Sequence, residues 1–290
     1  MNKTSLGYLL VLIGATFTGT IGVMGKLIYA YEPSPLTVIT FRATFAFLFI
    51  AFVLVVFRPG LLRINLTDLP YFALYGFLSI TLSFMFFFNS IKYTTVATAT
   101  ILLYTFPAIV VLLSALILNE KITRYKIVAL ILTFLGTASV MQVYNTTKFN
   151  LNLKGALLGL GAALGAASYT ILGKRAVNKY DPLTVVFYAF GFGSLFLLLF
   201  RGPKTVLQVN YPILAWVWIL ILALISTLLG YFLYTKGLQY IEAGRASITA
   251  VWEVIVASVL AFIVLGEVLT LPQVAGGLLI ILGIFVIRHE

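Results

Sequence analysis

The chain has 290 residues, 62% of them hydrophobic and 9% charged, with a mean hydropathy of +1.11 and a net charge of +11 at pH 7. Soluble domains are roughly half apolar and a quarter charged, so a water-soluble protein is excluded. Cys is absent and the single His stands at position 289. This excludes disulfide frameworks, thiolate chemistry, a His-built metal centre and a His-based triad in the apolar interior. No cofactor or metal is expected.

A bilayer crossing takes about 20 apolar residues. Charges, prolines and polar clusters mark off ten such segments, and because lipid offers backbone amides no partner, each is predicted to be a helix. The first, 5–30, follows Lys3 as a signal sequence would. Its length and the lack of a small-x-small cleavage signal predict a retained helix instead. Segments 36–57, 69–90, 95–118 and 124–143 complete a first group of five. Segments 154–173, 182–200, 212–236, 243–266 and 271–288 form a second. Pro35, Pro182 and Pro272 sit at or near segment starts, where the missing amide costs nothing.

With the first residue in the cytoplasm, twelve Lys and Arg fall on inner loops. Six fall outside: Lys26, Lys92, Lys148, Lys154, Arg201 and Lys204. This bias predicts a multi-pass protein of the cell (inner or plasma) membrane with both termini cytoplasmic. No basic run or basic amphipathic helix gathers the cations, so the expected partner is the lipid bilayer and not nucleic acid.

A shift of 147 residues superposes much of the first group on the second. Pro35-Leu36-Thr37-Val38 falls on Pro182-Leu183-Thr184-Val185, Ser79 on Ser226, Tyr93 on Tyr240, Glu120 on Glu267, Thr123 on Thr270 and Gly136 on Gly283. The expected units are 1–147 and 148–290. Each has five helices, an odd number, so the second enters from the opposite face and the pair is inverted. The expected fold is all-α, with ten transmembrane helices in two inverted five-helix repeats, the plan of secondary transporters whose site lies at midplane between the units. Two repeats in one chain make a monomer sufficient.

Leu118-Asn119-Glu120-Lys121-Ile122-Thr123 after Pro107, its partner Trp252-Glu253-Val254 running to Leu265-Gly266-Glu267-Val268-Leu269-Thr270, and Phe41-Arg42 with Ala46 resemble EamA-type members of the drug/metabolite transporter superfamily. The resemblance spans nearly the whole chain. It implies a basket of helices around a central substrate cavity, with the fifth and tenth helices peripheral. It also implies ATP-independent movement of small metabolites, amino acids or drugs. The family often has Pro after the Glu of the ninth helix, where this chain has Val254. The sequence therefore offers a proline-made break at Pro107 in the fourth helix and none in the ninth.

Glu253 is the outstanding residue, an acid near the middle of an apolar segment at a cost of roughly 2.5 to 3.5 kcal/mol. Its functional reading is substrate binding and proton or cation coupling, and its bland reading is a hydrogen-bonded structural acid. Arg42 stands some seven residues into the second helix, about 10 Å deep at 1.5 Å per residue. It is expected to share the cavity with Glu253, paired directly or through substrate, or else to lock helices together. Tyr104, Ser168, Tyr169, Tyr231 and Trp252 are candidate substrate contacts because each stands in or beside a polar part of an apolar helix, the usual composition of a small-molecule site. Packing is their simpler role. Pro107 is a candidate hinge, since it frees a carbonyl near Leu103. Glu120 and Glu267 are read as helix ends, with Thr123 and Thr270 capping the next helices and gate closure as the lesser reading.

An enzyme needs a nucleophile with a base or a metal cage, and the interior supplies one clear carboxylate. Membrane-embedded enzyme and channel or scaffold remain the alternatives to a carrier. ATP-driven pumping within this chain is excluded, because no GxxxxGK[ST] loop occurs.

Overall fold

The computed structural model describes residues 2–31, 34–145, 152–202 and 208–290. Within them the chain forms ten long helices: α1 Lys3–Tyr29, α2 Pro35–Phe57, α3 Leu66–Tyr93, α4 Val96–Ile117, α5 Arg124–Val140, α6 Leu153–Ala176, α7 Pro182–Arg201, α8 Ile213–Gly237, α9 Ala243–Leu265 and α10 Leu271–Arg288. Nine are long and apolar enough to cross a membrane. The remaining one, α5, has 17 residues and reaches about 26 Å at 1.5 Å per residue, close to the thickness of a hydrocarbon core. The proposed unit boundary after residue 147, and with it Lys148 and Lys204, lies outside the described residues.

Helix starts follow from local chemistry. Thr123 accepts from the Lys126 amide and Asp181 from the Leu183 amide, while Thr270 and Gln273 cap each other's backbone in a capping box. Pro35, Pro182 and Pro272 occupy the first or second positions of α2, α7 and α10.

The two halves pack as mirror assignments of one plan. Helix α1 lies against α8 as α3 lies against α6, while α9 meets α1 as α4 meets α6. The self-related pairs are α2 with α7 and α5 with α10. Close approach at the last pair needs glycine: a Cβ on Gly136 would sit 2.6 Å from the Gly276 carbonyl oxygen, and one on Gly283 would sit 3.1 Å from that of Ala129.

Local irregularities repeat too. Phe77–Leu82 in α3 and Leu222–Leu229 in α8 are π-helical turns at equivalent positions. Helix α4 breaks between Val96–Leu103 and Phe106–Ile117, and α9 breaks at the matching place, between Ala243–Ala250 and Trp252–Leu265. Pro107 opens the second half of α4, as its lost amide bond predicts. The α9 break has no proline. There the Val251 amide turns to the Ile248 carbonyl at 3.2 Å and the Val254 amide to the Val251 carbonyl at 3.0 Å, a 3₁₀-type tightening. Val251 is held in an apolar cluster with Val140, Val254, Ile280 and Ile284 against Tyr104, so packing replaces proline as the cause.

Helix ends repeat as well. Asn119 and Gly266 both adopt a left-handed backbone, and the next residues, Glu120 and Glu267, send their amides back to Ser114 and Ala261.

Candidate functional site

The break in α9 places Glu253 in the first turn of its second half, where the helix dipole favours negative charge. Its carboxylate is held from two other helices. The Thr18 hydroxyl of α1 donates to Oε2 at 2.5 Å and the Tyr104 hydroxyl, at the α4 break, donates to Oε1. A neighbouring hydroxyl pair, Thr20 of α1 and Ser226 in the α8 π turn, lies at 2.6 Å.

Arg42 on α2 is 7% exposed. Its guanidinium carbon stands 4.4 Å from the centre of the Phe84 ring of α3, a cation–π contact. Tyr231, Tyr29 and Glu253 are near enough to interact with its charge. The ion pairs within 4.0 Å among the described residues do not include Arg42 with Glu253, and Arg42 Nε has no hydrogen-bond partner. The two ionisable groups therefore share a neighbourhood without direct contact.

Tyr231 of α8 meets Tyr169 of α6 and Phe190 of α7 edge to face, at 4.9 and 5.3 Å. The Tyr169 hydroxyl lies 2.8 Å from that of Thr235, its ring is 4% exposed, and its backbone carbonyl accepts from Tyr75. Seven helices thus converge on one cluster built from Thr18, Arg42, Phe84, Tyr104, Tyr169, Tyr231 and Glu253.

Two sequence candidates stand apart from it. Ser168 bonds the Leu164 carbonyl of its own helix at 2.8 Å. Trp252 donates to Thr16 at 3.1 Å and lines a groove of about 250 Å³ with Leu12, Ile13, Ile281 and Ile284. Pro107 borders a larger cleft, about 300 Å³, with Tyr104, Thr105 and Val251 facing α5 residues that include the exposed Ile131, Phe134 and Leu135. Its wall is mainly apolar and includes those exposed α5 side chains, so Tyr104 stands between that surface and the carboxylate. Sequence reasoning missed Thr18 and Phe84. The run Thr16-Phe17-Thr18-Gly19-Thr20 was a usable signal for the first, whereas nothing singles out one Phe among 24.

The repeat-related ends differ in what their acids hold. Ala243 and Gly244, at the start of α9, donate their amides to the two oxygens of Glu120 at 2.6 and 3.1 Å. Glu120 thereby caps a helix of the other repeat. Lys126, 1% exposed, lies 3.6 Å from Glu120 and 2.8 Å from Glu242, and donates to the Lys121 carbonyl at 2.8 Å. Arg245 links Glu242 to Glu290, and Lys174 donates to the Leu238 and Ile241 carbonyls. Burial works to raise the Glu242 carboxyl, but the Lys126 hydrogen bond and the charges of Lys126 and Arg245 outweigh it and hold the group below the usual range. At the other end Glu267, 47% exposed, pairs with exposed Lys26. The start of α4 is capped by its own Thr95.

Ten apolar helices in two inverted repeats around a buried polar cluster define a multi-pass integral membrane protein. Residues 5–142 and 153–288 match the EamA-like transporter family, and the chain belongs to that family. An uncharacterized inner membrane transporter of Salmonella typhimurium, YicL, is 30% identical over 301 residues, covering 100% of this chain and 97% of the relative. An uncharacterized transporter of Archaeoglobus fulgidus is 29% identical over 257 residues, 89% of this chain and 90% of the relative. A crystal structure with 14% identity superposes with a TM-score of 0.84, covering 97% of this chain and 96% of that one, and shows the same fold.

Proposed function

We propose that this chain is a secondary transporter that moves a small metabolite, amino acid or drug-like compound across the plasma membrane by alternating access. The moving bodies in this reading are the units 1–147 and 148–290, and substrate passes between them. The observation that carries it is the unequal state of two equivalent acids: Glu120 clamps the start of α9, while Glu267 leaves the start of α4 alone and pairs with Lys26. Among the described residues the glutamate latch is engaged at the Glu120 end and not at the Glu267 end, as a carrier that opens one face at a time needs. The inner-membrane name of the Salmonella relative supports the plasma membrane as location, and the positive-inside bias supports cytoplasmic termini and a closed Glu120 end facing inward.

Within the cluster, Arg42, Tyr104, Tyr169 and Tyr231 contact substrate. Glu253 takes up the coupling proton or cation, and its two hydroxyl donors hold it ready for exchange. The Pro107 break is the hinge in α4. Ser168 and Trp252 join the binding surface only through rearrangement of α6 and α9.

Uptake of a labelled metabolite panel into liposomes containing the purified chain tests the proposal. A carrier gives saturable flux that substrate on the opposite side accelerates, and Glu253→Gln loses accumulation driven by an imposed proton gradient. Flux that never saturates identifies a channel, and none for any compound leaves a scaffold.

A further inference from the structure

Buried charges in proteins are paired, and a guanidinium, which keeps its proton, offers five donors in a planar fork. Arg42 breaks that rule in this structure. It is 7% exposed, no carboxylate of the described residues lies within 4.0 Å, Nε has no acceptor, and the groups that meet its fork are the face of Phe84 and the Tyr231 hydroxyl, which is within hydrogen-bonding reach. Glu253, the nearby acid, is turned to Thr18 and Tyr104 instead. Helices of the other repeat supply aromatic surface beside the fork, with Tyr231 packed edge to face on Tyr169 and Phe190. An orphaned buried donor needs an explanation, and lipid cannot supply an acceptor here.

We infer that Arg42 is the anion subsite of the substrate cavity, and that the substrate carries a carboxylate which docks on the guanidinium with its apolar body along Phe84 and Tyr231. The inference rests on the carrier reading for the word substrate, but it is a statement about binding. A carboxylate matches the fork in two parallel hydrogen bonds, whereas the corresponding amide brings one oxygen, no charge and a clashing NH₂. Arg42 then discriminates between acid and amide, and Glu253 stays free for coupling because the substrate's negative end is satisfied elsewhere.

The test is equilibrium binding to the whole chain in lipid nanodiscs, read as thermal stabilisation at pH 7. The probes are matched pairs: benzoate and benzamide, phenylacetate and phenylacetamide, hexanoate and hexanamide. We expect at least one acid to raise the melting temperature dose-dependently, with its amide at least tenfold weaker. Arg42→Gln erases that preference, and Gly277→Ala, whose added methyl meets nothing within 4 Å, keeps it. Should Arg42→Gln fail to fold, Arg42→Lys, which retains the charge without the fork, is expected to fold and to narrow the ratio. The wild-type comparison stands without any variant. Equal shifts for acid and amide, no shift for any pair, or a preference that survives Arg42→Gln overturns the inference. Acid binding without transport would sink the carrier reading alone, and transport of amides and acids at equal rates would sink the anion subsite alone.

Discussion

Glu253 and Ser79 illustrate how single residues are satisfied or left over by the duplication. Glu253 gains donors from α1 and α4, so Tyr104→Phe leaves one carboxylate oxygen without its partner. Such a loss costs about 1 to 3 kcal/mol, and thermal unfolding of the variant in detergent is expected to show a lower midpoint with the helix content unchanged. Ser226 pairs with Thr20, whereas the hydroxyl of its repeat counterpart Ser79 has no partner. At the clamped end Lys126 neutralises two acids. Lys126→Met takes the buried cation from Glu120 and leaves Glu242 to Arg245 alone, a change on the order of 3 kcal/mol because Lys126 is fully enclosed, visible as a lower unfolding midpoint. Glu242 gives a pH signature. Its carboxyl is held below its unfolded value of about 4.3, so its contribution is complete above that pH and is lost as pH falls through the lower folded value. Melting temperatures measured from pH 6 to pH 3 should fall more steeply for the wild type than for Glu242→Gln, and the variant should be the less stable of the two at pH 7. Parallel curves would contradict the assignment. The sequence made Glu253 and Arg42 conspicuous because ionisable groups are rare in apolar segments. It could not reveal that they do not touch, since Thr and Tyr compete for the carboxylate only in three dimensions.

Helices were the most legible level. All ten predicted segments occur with ends within a few residues, because length and hydropathy set a membrane helix and little else competes. The break in α4 was legible from Pro107. Its twin in α9 was not, because there Val251 is tightened by packing against Val140, Ile280 and Ile284 on helices distant in sequence. The π turns were equally silent, since their residues, Phe77-Leu78-Ser79-Ile80-Thr81-Leu82 and its counterpart, have no composition of their own. Glycine spacing in α5 and α10 carries a test of the pairing. Gly136→Ala drives a methyl to 2.6 Å from the Gly276 oxygen and 2.7 Å from Ile280, and is expected to destabilise by about 1 to 3 kcal/mol. Gly277→Ala, one residue along, meets nothing within 4 Å and should leave the unfolding midpoint where it is.

At the scale of the whole molecule, an exact repeat would place both ends in the same state, and this chain does not. The backbones of Asn119-Glu120 and Gly266-Glu267 match, yet one acid reaches across to the other repeat and its twin does not. Side-chain surroundings supply the difference. The shift sets Lys126 against Gln273, so the Glu120 end has a buried cation to seat its acid, and the Glu267 end relies on Lys26 from α1. The 147-residue offset announced the inversion, but the unequal latches are a property of one conformation, which no sequence encodes by itself. The central claim is that Glu267 seats on the start of α4 when the Glu120 clamp releases. The chain has no Cys, so Glu267→Cys with Ala97→Cys, the counterpart of Gly244, gives a clean pair for a short thiol cross-linker applied to the transporting protein in liposomes. Alternating access predicts that the link forms during turnover and stops transport until it is cleaved. A pair that never links, or a linked protein that carries substrate at the full rate, contradicts it.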